Sequence, residues 1–307
     1  MRAAIDIGTN TVLLLIAKEG ESSLEVLEEG YRMPRLGKGV DANHNLNTSS
    51  IRRVLDVLNE YQQIIEEKYP ECEKVIVTAT SAVRDAENRD LFLSKVKEET
   101  GFDVRLLSGD EEAQYTYRGA LATVDHLSDD EAFVVLDIGG GSTEIAAGFE
   151  GALSRFTSLD VGCVRFTERY LKHNPPYTEE IFECREAIRE ALAKQKVKIP
   201  KKAIALGVAG TMTSLAAIDL QIDETQISRL NGHKIDREKL SKSIEVFSLH
   251  TYDQLLELNP SVLKGREDVF LAGLLILDEF LKFYSLDEIL VSTGGMRHGA
   301  LLMDKKD

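Results

Sequence analysis

The chain has little cysteine, no low-complexity tract and no long uncharged hydrophobic run. Its three cysteines, Cys72, Cys163 and Cys184, are scattered without a C-x-x-C pair, which argues against both a zinc framework and a disulfide scaffold. A reducing compartment, the cytoplasm, suits such a chain. The most apolar stretch, DVFLAGLLILDEFLKFY at 268–284, is interrupted by charges and too short to span a bilayer, so no membrane partner is expected. The first strand begins almost at Met1, so no signal peptide is expected either. Positive charge is also short: 37 bases against 52 acids leave a net charge of −15. That balance argues against a nucleic-acid partner, which needs a basic surface. Any anionic ligand of a protein so charged would have to be held by local N–H groups, a few arginines and metal ions, because the overall field repels anions.

What is present is the makeup of a globular protein: 307 residues, 43% apolar and 29% charged, with room for two domains. Residues 134–148, VVLDIGGGSTEIAAG, run a buried-looking strand into Asp137 and then into Gly139, Gly140, Gly141, Ser142, Thr143 and Glu144. Glycines let backbone N–H groups approach a ligand closely, and successive N–H groups in a turn form a concave anion site. A carboxylate there cannot hold an anion, but it can hold the divalent metal that accompanies a phosphate. A plain tight hairpin explains the same glycines. Residues 3–17, AAIDIGTNTVLLLIA, repeat the pattern: Asp6 matches Asp137, Gly8 matches Gly139, and Thr9, Asn10 and Thr11 match Gly140 to Ser142. Two copies about 130 residues apart point to a duplicated supersecondary unit rather than a solenoid. Two such hairpins facing each other across one cleft would grip a phosphate chain from both sides.

The periodicity predicts β-β-β-α-β-α-β-α for the first half. A helix over NTSSIRRVLDVLNEYQQIIEEKYP is capped by Thr48 or Ser49 and stopped at Pro70. The segment ENRDLFLSKVKEETG is a helix stopped at Gly101, and GDEEAQYTYRGALATV is a helix opened by the capping box Ser108-x-x-Glu111. The second half opens with strands at 132–138, 142–149 and 152–160 and a helix around 178–195. The strand KAIALGVAG then runs into a helix, 267–284 is a long helix, DEILVST is a strand, and a last helix starts near Arg297. Residues 221–265 have weaker periodicity.

Six motifs in order carry a resemblance over nearly the whole chain: DIGTNTVLLLIA, TATSAVRDAEN, LSGDEEAQYTYRGA, LDIGGGSTEI, GVAGTMTSLAAI and STGGMRHGALL. They resemble the exopolyphosphatase and guanosine pentaphosphate phosphohydrolase family, in its short two-domain form. The resemblance implies an α/β fold of two ribonuclease-H-like domains, of the actin, sugar kinase and chaperone ATPase superfamily, around an interdomain cleft. The implied domains are 1–124, with a C-terminal helix at about 292–307, and 125–291. It implies Glu112 as the general base that deprotonates water. Glu111 already has the capping-box position, which leaves Glu112 without a local job.

The same resemblance implies phosphate contacts from Gly8, Thr9, Asn10, Thr11, Arg84, Gly139, Gly140, Gly141, Ser142 and Thr143. Mg²⁺ or Mn²⁺ would be held by Asp137 and Glu144, with Asp6 joining them. Thr293, Arg297 and His298 would support the site from behind, and Cys163 reads as a packed residue. At Leu13 many members carry Arg or His, so one phosphate contact is missing and substrate preference stays open. The implied activity is release of the terminal phosphate of inorganic polyphosphate. The alternatives are the same chemistry on guanosine pentaphosphate, and a kinase-like or regulatory nucleotide-binding module. Monomer and homodimer both remain open.

Overall fold

The computed structural model describes residues 1–20, 24–124, 127, 131–149, 152–200, 202–222 and 229–304. It divides into two compact units, Met1–Ala122 with Met296–Asp307, and Thr123–Gly295. Ser22 and Ser23, the start of the third strand that the loose alternation of SSLEVLEEGYRMPRL predicts, the expected domain boundary at residue 125, and 305–307 of the expected last helix lie outside the described residues, as do 223–228.

The first unit runs β1 (Arg2–Ile7), β2 (Val12–Glu19), β3 (Leu24–Arg32), α1 (Val40–Asn43), α2 (Thr48–Lys68), β4 (Lys74–Ala79), α3 (Ser81–Arg84), α4 (Arg89–Thr100), β5 (Val104–Leu106) and α5 (Gly109–Leu121). The single-turn helices α1 and α3 are additions to the expected order. The sheet order is β3-β2-β1-β4-β5, with β1 antiparallel to β2 and parallel to β4. The run VLLLIA in β2 is continuous because both of its faces are covered. Val12, Leu14 and Ile16 join Ile5 and Ile7 in a cluster with Val54 and Leu58 of α2 and Phe92 of α4. Leu15 and Ala17 join Ala4 in a separate cluster on the alternate positions. Tyr61 of α2 is fully buried and donates from its hydroxyl to Val12 O at 3.0 Å. Helical spacing puts Ile51, Val54, Leu55, Leu58, Tyr61, Ile64 and Ile65 on one face of α2, and all of them but the half-buried Ile64 are buried.

The second unit runs β6 (Ala132–Ile138), β7 (Thr143–Phe149), β8 (Ala152–Leu159), α6 (Cys163–Tyr170), α7 (Thr178–Lys194), β9 (Ile204–Val208), α8 (Ala209–Leu220), β10 (Lys234–Asp236), α9 (Arg237–Leu249), α10 (Tyr252–Leu258), α11 (Pro260–Leu263), α12 (Phe270–Tyr284) and β11 (Glu288–Val291). Its order, β10-β11-β9-β6-β7-β8, repeats the first sheet and adds the edge strand β10. That strand and α6 had no signal in the periodicity, whereas α9 to α11 are the extra helices expected within 221–265, whose positions the weak periodicity did not set. Residues 270–281 of α12 are buried throughout, including Asp278 and Glu279. These carboxylates pair with Arg185 and Lys282, and Glu279 also with Arg189. Burial alone would push both acids up, but hydrogen bonds from these cations outweigh it and hold them below the usual carboxylate range. Among the described residues no helix is long and apolar enough to cross a membrane.

The last helix, α13 (Met296–Met303), belongs to the first unit, and its Ala300 and Leu301 complete the cluster of Ala4, Leu15 and Ala17. Arg297 donates to Leu14 O, and Asp304 pairs with Lys74 at 2.6 Å. His298 is buried, which pushes its imidazole down to about 3 and keeps it neutral.

One sequence expectation is corrected. The cap of α2 is Asn47, whose side chain accepts from Ser50 N at 2.8 Å, and not Thr48 or Ser49. Asn47 has the extended backbone (φ −78°, ψ 146°) that a cap needs, while Thr48 is already inside the helix. The expected result is a loss of about 1 kcal/mol of stability for Asn47→Ala and little change for Thr48→Ala, read by denaturant unfolding. Equal losses would restore Thr48 as the cap.

Candidate phosphate-binding site

The two hairpins share one turn. Gly8 N donates to Thr11 O at 2.9 Å, and Gly139 N donates to Ser142 O at 3.0 Å. Strand register extends the match: Ile7 is opposite Val12 as Ile138 is opposite Thr143. In each unit the segment after the third strand straps the tip. Thr9 O accepts from Gly37 N at 2.8 Å and Asn10 O from Arg35 N at 3.0 Å. In the second unit Gly139 O accepts from Cys163 N at 2.9 Å, and Gly140 O from Val164 N at 2.9 Å and Arg165 N at 3.0 Å. The hydroxyl of Thr143 donates to Val161 O in the same strap.

A trans peptide is planar, so a carbonyl drawn to one side sends the following N–H to the other. With their carbonyls tied to the strap, the tip N–H groups point away from it. Consecutive N–H groups so aligned make an anion cradle. Closeness of tip and strap requires glycine. A Cβ at Gly162 would lie 2.3 Å from Gly140 O, and one at Gly37 would lie 2.3 Å from the Thr9 methyl. The sequence reading passed over both residues. The available signal was a glycine after the third strand in each half, in LGK and VGC.

The first unit links its tip to two further predicted residues. Thr9 Oγ1 and Ser81 Oγ lie 3.0 Å apart, and Ser81 opens α3, which ends at Arg84. The Arg84 guanidinium donates to Leu107 O at 2.9 Å and pairs with Glu112, whose side chain is 8% exposed. Glu111 points elsewhere: it completes the capping box with Ser108 and pairs with the exposed Arg105. Hydrogen bonds from the Ser108 backbone outweigh its burial and hold its carboxyl below the usual range. Adjacent acids thus divide the work, Glu111 on the helix start and Glu112 turned inward onto Arg84.

Asp137 and Glu144 are register partners on β6 and β7, so their side chains share one face of the sheet. Ser158 Oγ donates to Glu144 Oε1 at 2.7 Å, and Glu144 is buried. Among the described residues no group of three or more His, Cys, Asp or Glu is gathered for a metal. Two hard oxygen donors nevertheless fit Mg²⁺, which commonly takes one or two carboxylates and fills its shell with water and phosphate. Asp6 occupies the matching place in the first unit, but its register partner is Leu13. Cys163 is partly buried and packs against the core of the second unit, and burial pushes its thiol up to about 11 despite the nearby Arg266, which suits a packing role. Thr293 bonds Asn231 and Arg297 braces β2. A feature with no sequence signal is Ala209, which opens α8 in the left-handed region at φ 66°.

The profile of the Ppx/GppA phosphatase family matches residues 15–306. The chain is 32% identical over 315 residues to exopolyphosphatase 2 of Mycobacterium tuberculosis, covering 98% of this chain and 97% of that protein. It is 31% identical over 314 residues to the bifunctional 3-dehydroquinate synthase/phosphatase of Fusobacterium nucleatum, where it spans 98% of this chain but only 46% of that protein. The crystal structure of the Aquifex aeolicus member of the Ppx/GppA family superposes with a TM-score of 0.81 at 30% identity, over 98% of this chain and 95% of that one.

The strap geometry makes a stability prediction. Gly162→Ala forces a methyl against backbone that no side-chain rotation can move, so it should cost about 1–3 kcal/mol or more. A melting temperature unchanged from wild type would show that the strap is loosely held.

Proposed function

The chain belongs to the Ppx/GppA phosphatase family, and from that premise we propose that it removes the terminal phosphate of inorganic polyphosphate by metal-dependent hydrolysis. The observation that carries this reading is the inward-turned Glu112 held on Arg84, within the unit whose tip is linked to the same short helix. A base aimed at water favours hydrolysis over transfer to a bound acceptor. The exopolyphosphatase relative, matched over nearly its full length, supports the substrate class.

In the proposed reaction the N–H groups of Thr9 to Thr11 and of Gly140 to Ser142 hold phosphate oxygens, with the hydroxyls of Thr9, Thr11 and Ser142 adding donors, while the expected contacts from Gly8 and Gly139 are replaced by the bonds their N–H groups make across the turns. Thr143 braces its tip through Val161. Arg84 balances charge on the terminal phosphate, which competes with Glu112 for the guanidinium. Water attacks terminal phosphorus, its proton passes to Glu112, and the P–O bond to the shortened chain breaks. Asp137 and Glu144, together with Asp6, would hold Mg²⁺ or Mn²⁺, which when bound would neutralise charge on the phosphoryl oxygens. We place the activity in the cytoplasm, a compartment that suits the three unbridged thiols.

Phosphate release from polyphosphate, guanosine pentaphosphate and ATP, measured side by side, tests the substrate. Polyphosphate should lead; preference for the pentaphosphate would move the reading to the nucleotide substrate, and turnover of ATP alone would favour the kinase-like module. Exhaustive chelation should abolish the activity, and Asp137→Asn should raise the metal concentration needed. Turnover surviving the chelator would remove the metal from the mechanism. Glu112→Gln should lower the rate roughly 10²–10⁴-fold with substrate affinity held or improved, since a negative charge near the phosphates is lost. Glu111→Gln is the control: Gln also serves in a capping box, and only an exposed pair with Arg105 is weakened, so rate and stability should barely move. Equal losses at both positions would put the base elsewhere.

A further inference from the structure

We propose that Arg165 is a positioning residue for the second phosphate-binding tip, setting the direction of the Ser142 N–H through the Gly141 carbonyl. The proposal rests on the phosphate reading above. Arg165 Nε donates to Gly141 O at 2.7 Å, and Arg165 N donates to Gly140 O at 3.0 Å. One residue therefore holds two consecutive peptide planes of the tip.

The duplicated hairpin shows what the side chain replaces. Asn10 stands in the first tip where Gly141 stands in the second, and its carbonyl is held by a backbone donor, Arg35 N, at 3.0 Å. In the second unit the chain leaves the strap as α6, whose backbone N–H groups reach Gly139 O and Gly140 O, and among the described residues none reaches Gly141 O. The side chain of Arg165 supplies the missing donor. Because a peptide is planar and trans, fixing Gly141 O fixes the Ser142 N–H on the opposite side. The clamp matters more here than in the first tip. Gly139, Gly140 and Gly141 have no side chain to limit their backbone, so an unheld plane between residues 141 and 142 is free to turn. Thr9, Asn10 and Thr11 are restricted by their own Cβ atoms.

The assignment separates three N–H groups by what holds them. Those of Gly140 and Gly141 are set by backbone bonds to Gly139 O and Gly140 O, and that of Ser142 by the Arg165 side chain. Isotope-labelled glycine and serine in the full chain report each amide during titration with tripolyphosphate. In wild type all three amide signals should respond. In Arg165→Met, which keeps the aliphatic stem and removes the donor, the Ser142 response should be lost while those of Gly140 and Gly141 persist. The KM for tripolyphosphate should rise roughly tenfold, the loss of about one charge-assisted hydrogen bond to a phosphate. Arg165→Lys, with a donor able to reach the carbonyl, should recover part of both signals and guards against a misfolded Met variant. A full Ser142 response in Arg165→Met overturns the assignment, as does loss of all three responses with Arg165→Lys failing to recover Ser142. Absence of any response in wild type would instead sink the phosphate reading itself.

Discussion

Planarity of the peptide group is the constraint on which the candidate site depends. A hairpin tip can present N–H groups to an anion only if its carbonyls are engaged on the other side. Each unit meets that condition with the segment that follows its third strand, Arg35 to Gly37 in one and Val161 to Arg165 in the other. The straps in turn depend on the sheets. Register between β1 and β2, and between β6 and β7, sets where each tip begins, and the third strand delivers the strap beside it. In the first unit alternate positions of β2 pack into two separate clusters, so a shift of one residue would exchange the side chains that each cluster is built to hold.

Duplication preserved the turn and let the chemistry around it diverge. Asp6 and Asp137 end their strands at the same place, yet Asp137 faces Glu144 while Asp6 faces Leu13. The second hairpin therefore has the paired carboxylates suited to a hard cation, and the first has one. Glycines form the second tip and hydroxylated or amide residues the first, so the second needs more external holding and the first supplies more side-chain donors. The single chain thus carries two versions of one device with different demands.

Charge is handled locally throughout. A net charge of −15 offers no attraction to a polyanion, so in the proposed reaction the burden would fall on oriented N–H groups, on Arg84 and on a cation held by the carboxylates. The same economy governs the interior. Asp278 and Glu279 stand inside α12 because Arg185, Arg189 and Lys282 meet them there, and unpaired they would be costly in a helix buried along most of its length. Glu112 differs in kind: its partner Arg84 sits behind a tip and is itself more than a quarter exposed, a place where a ligand can compete for it.

Much of this was legible in the residues. Alternation and helical spacing located the strands of both hairpins, α2, α5 and α12, and the repeated Asp-Ile-Gly identified the duplication. The capping box at Ser108 and Glu111 is local, and local chemistry decided it. The cap of α2 was misassigned by one residue because Asn47, Thr48 and Ser49 are all competent caps, and only the backbone angle selects among them. The strand β10 was missed because a three-residue edge strand takes its place from pairing with β11, a contact made over a long sequence separation. Sequence by itself determined the two-fold repeat and the apolar cores, since their motifs and spacing are written in short-range order, while the candidate residues followed from the family resemblance those motifs carry. Only the tertiary structure decided that Glu112 meets Arg84, that Glu144 faces Asp137, and that Arg165 closes the second tip. Those pairings join residues brought together by sheet register and helix packing, and neither is visible to a reader of neighbouring residues alone.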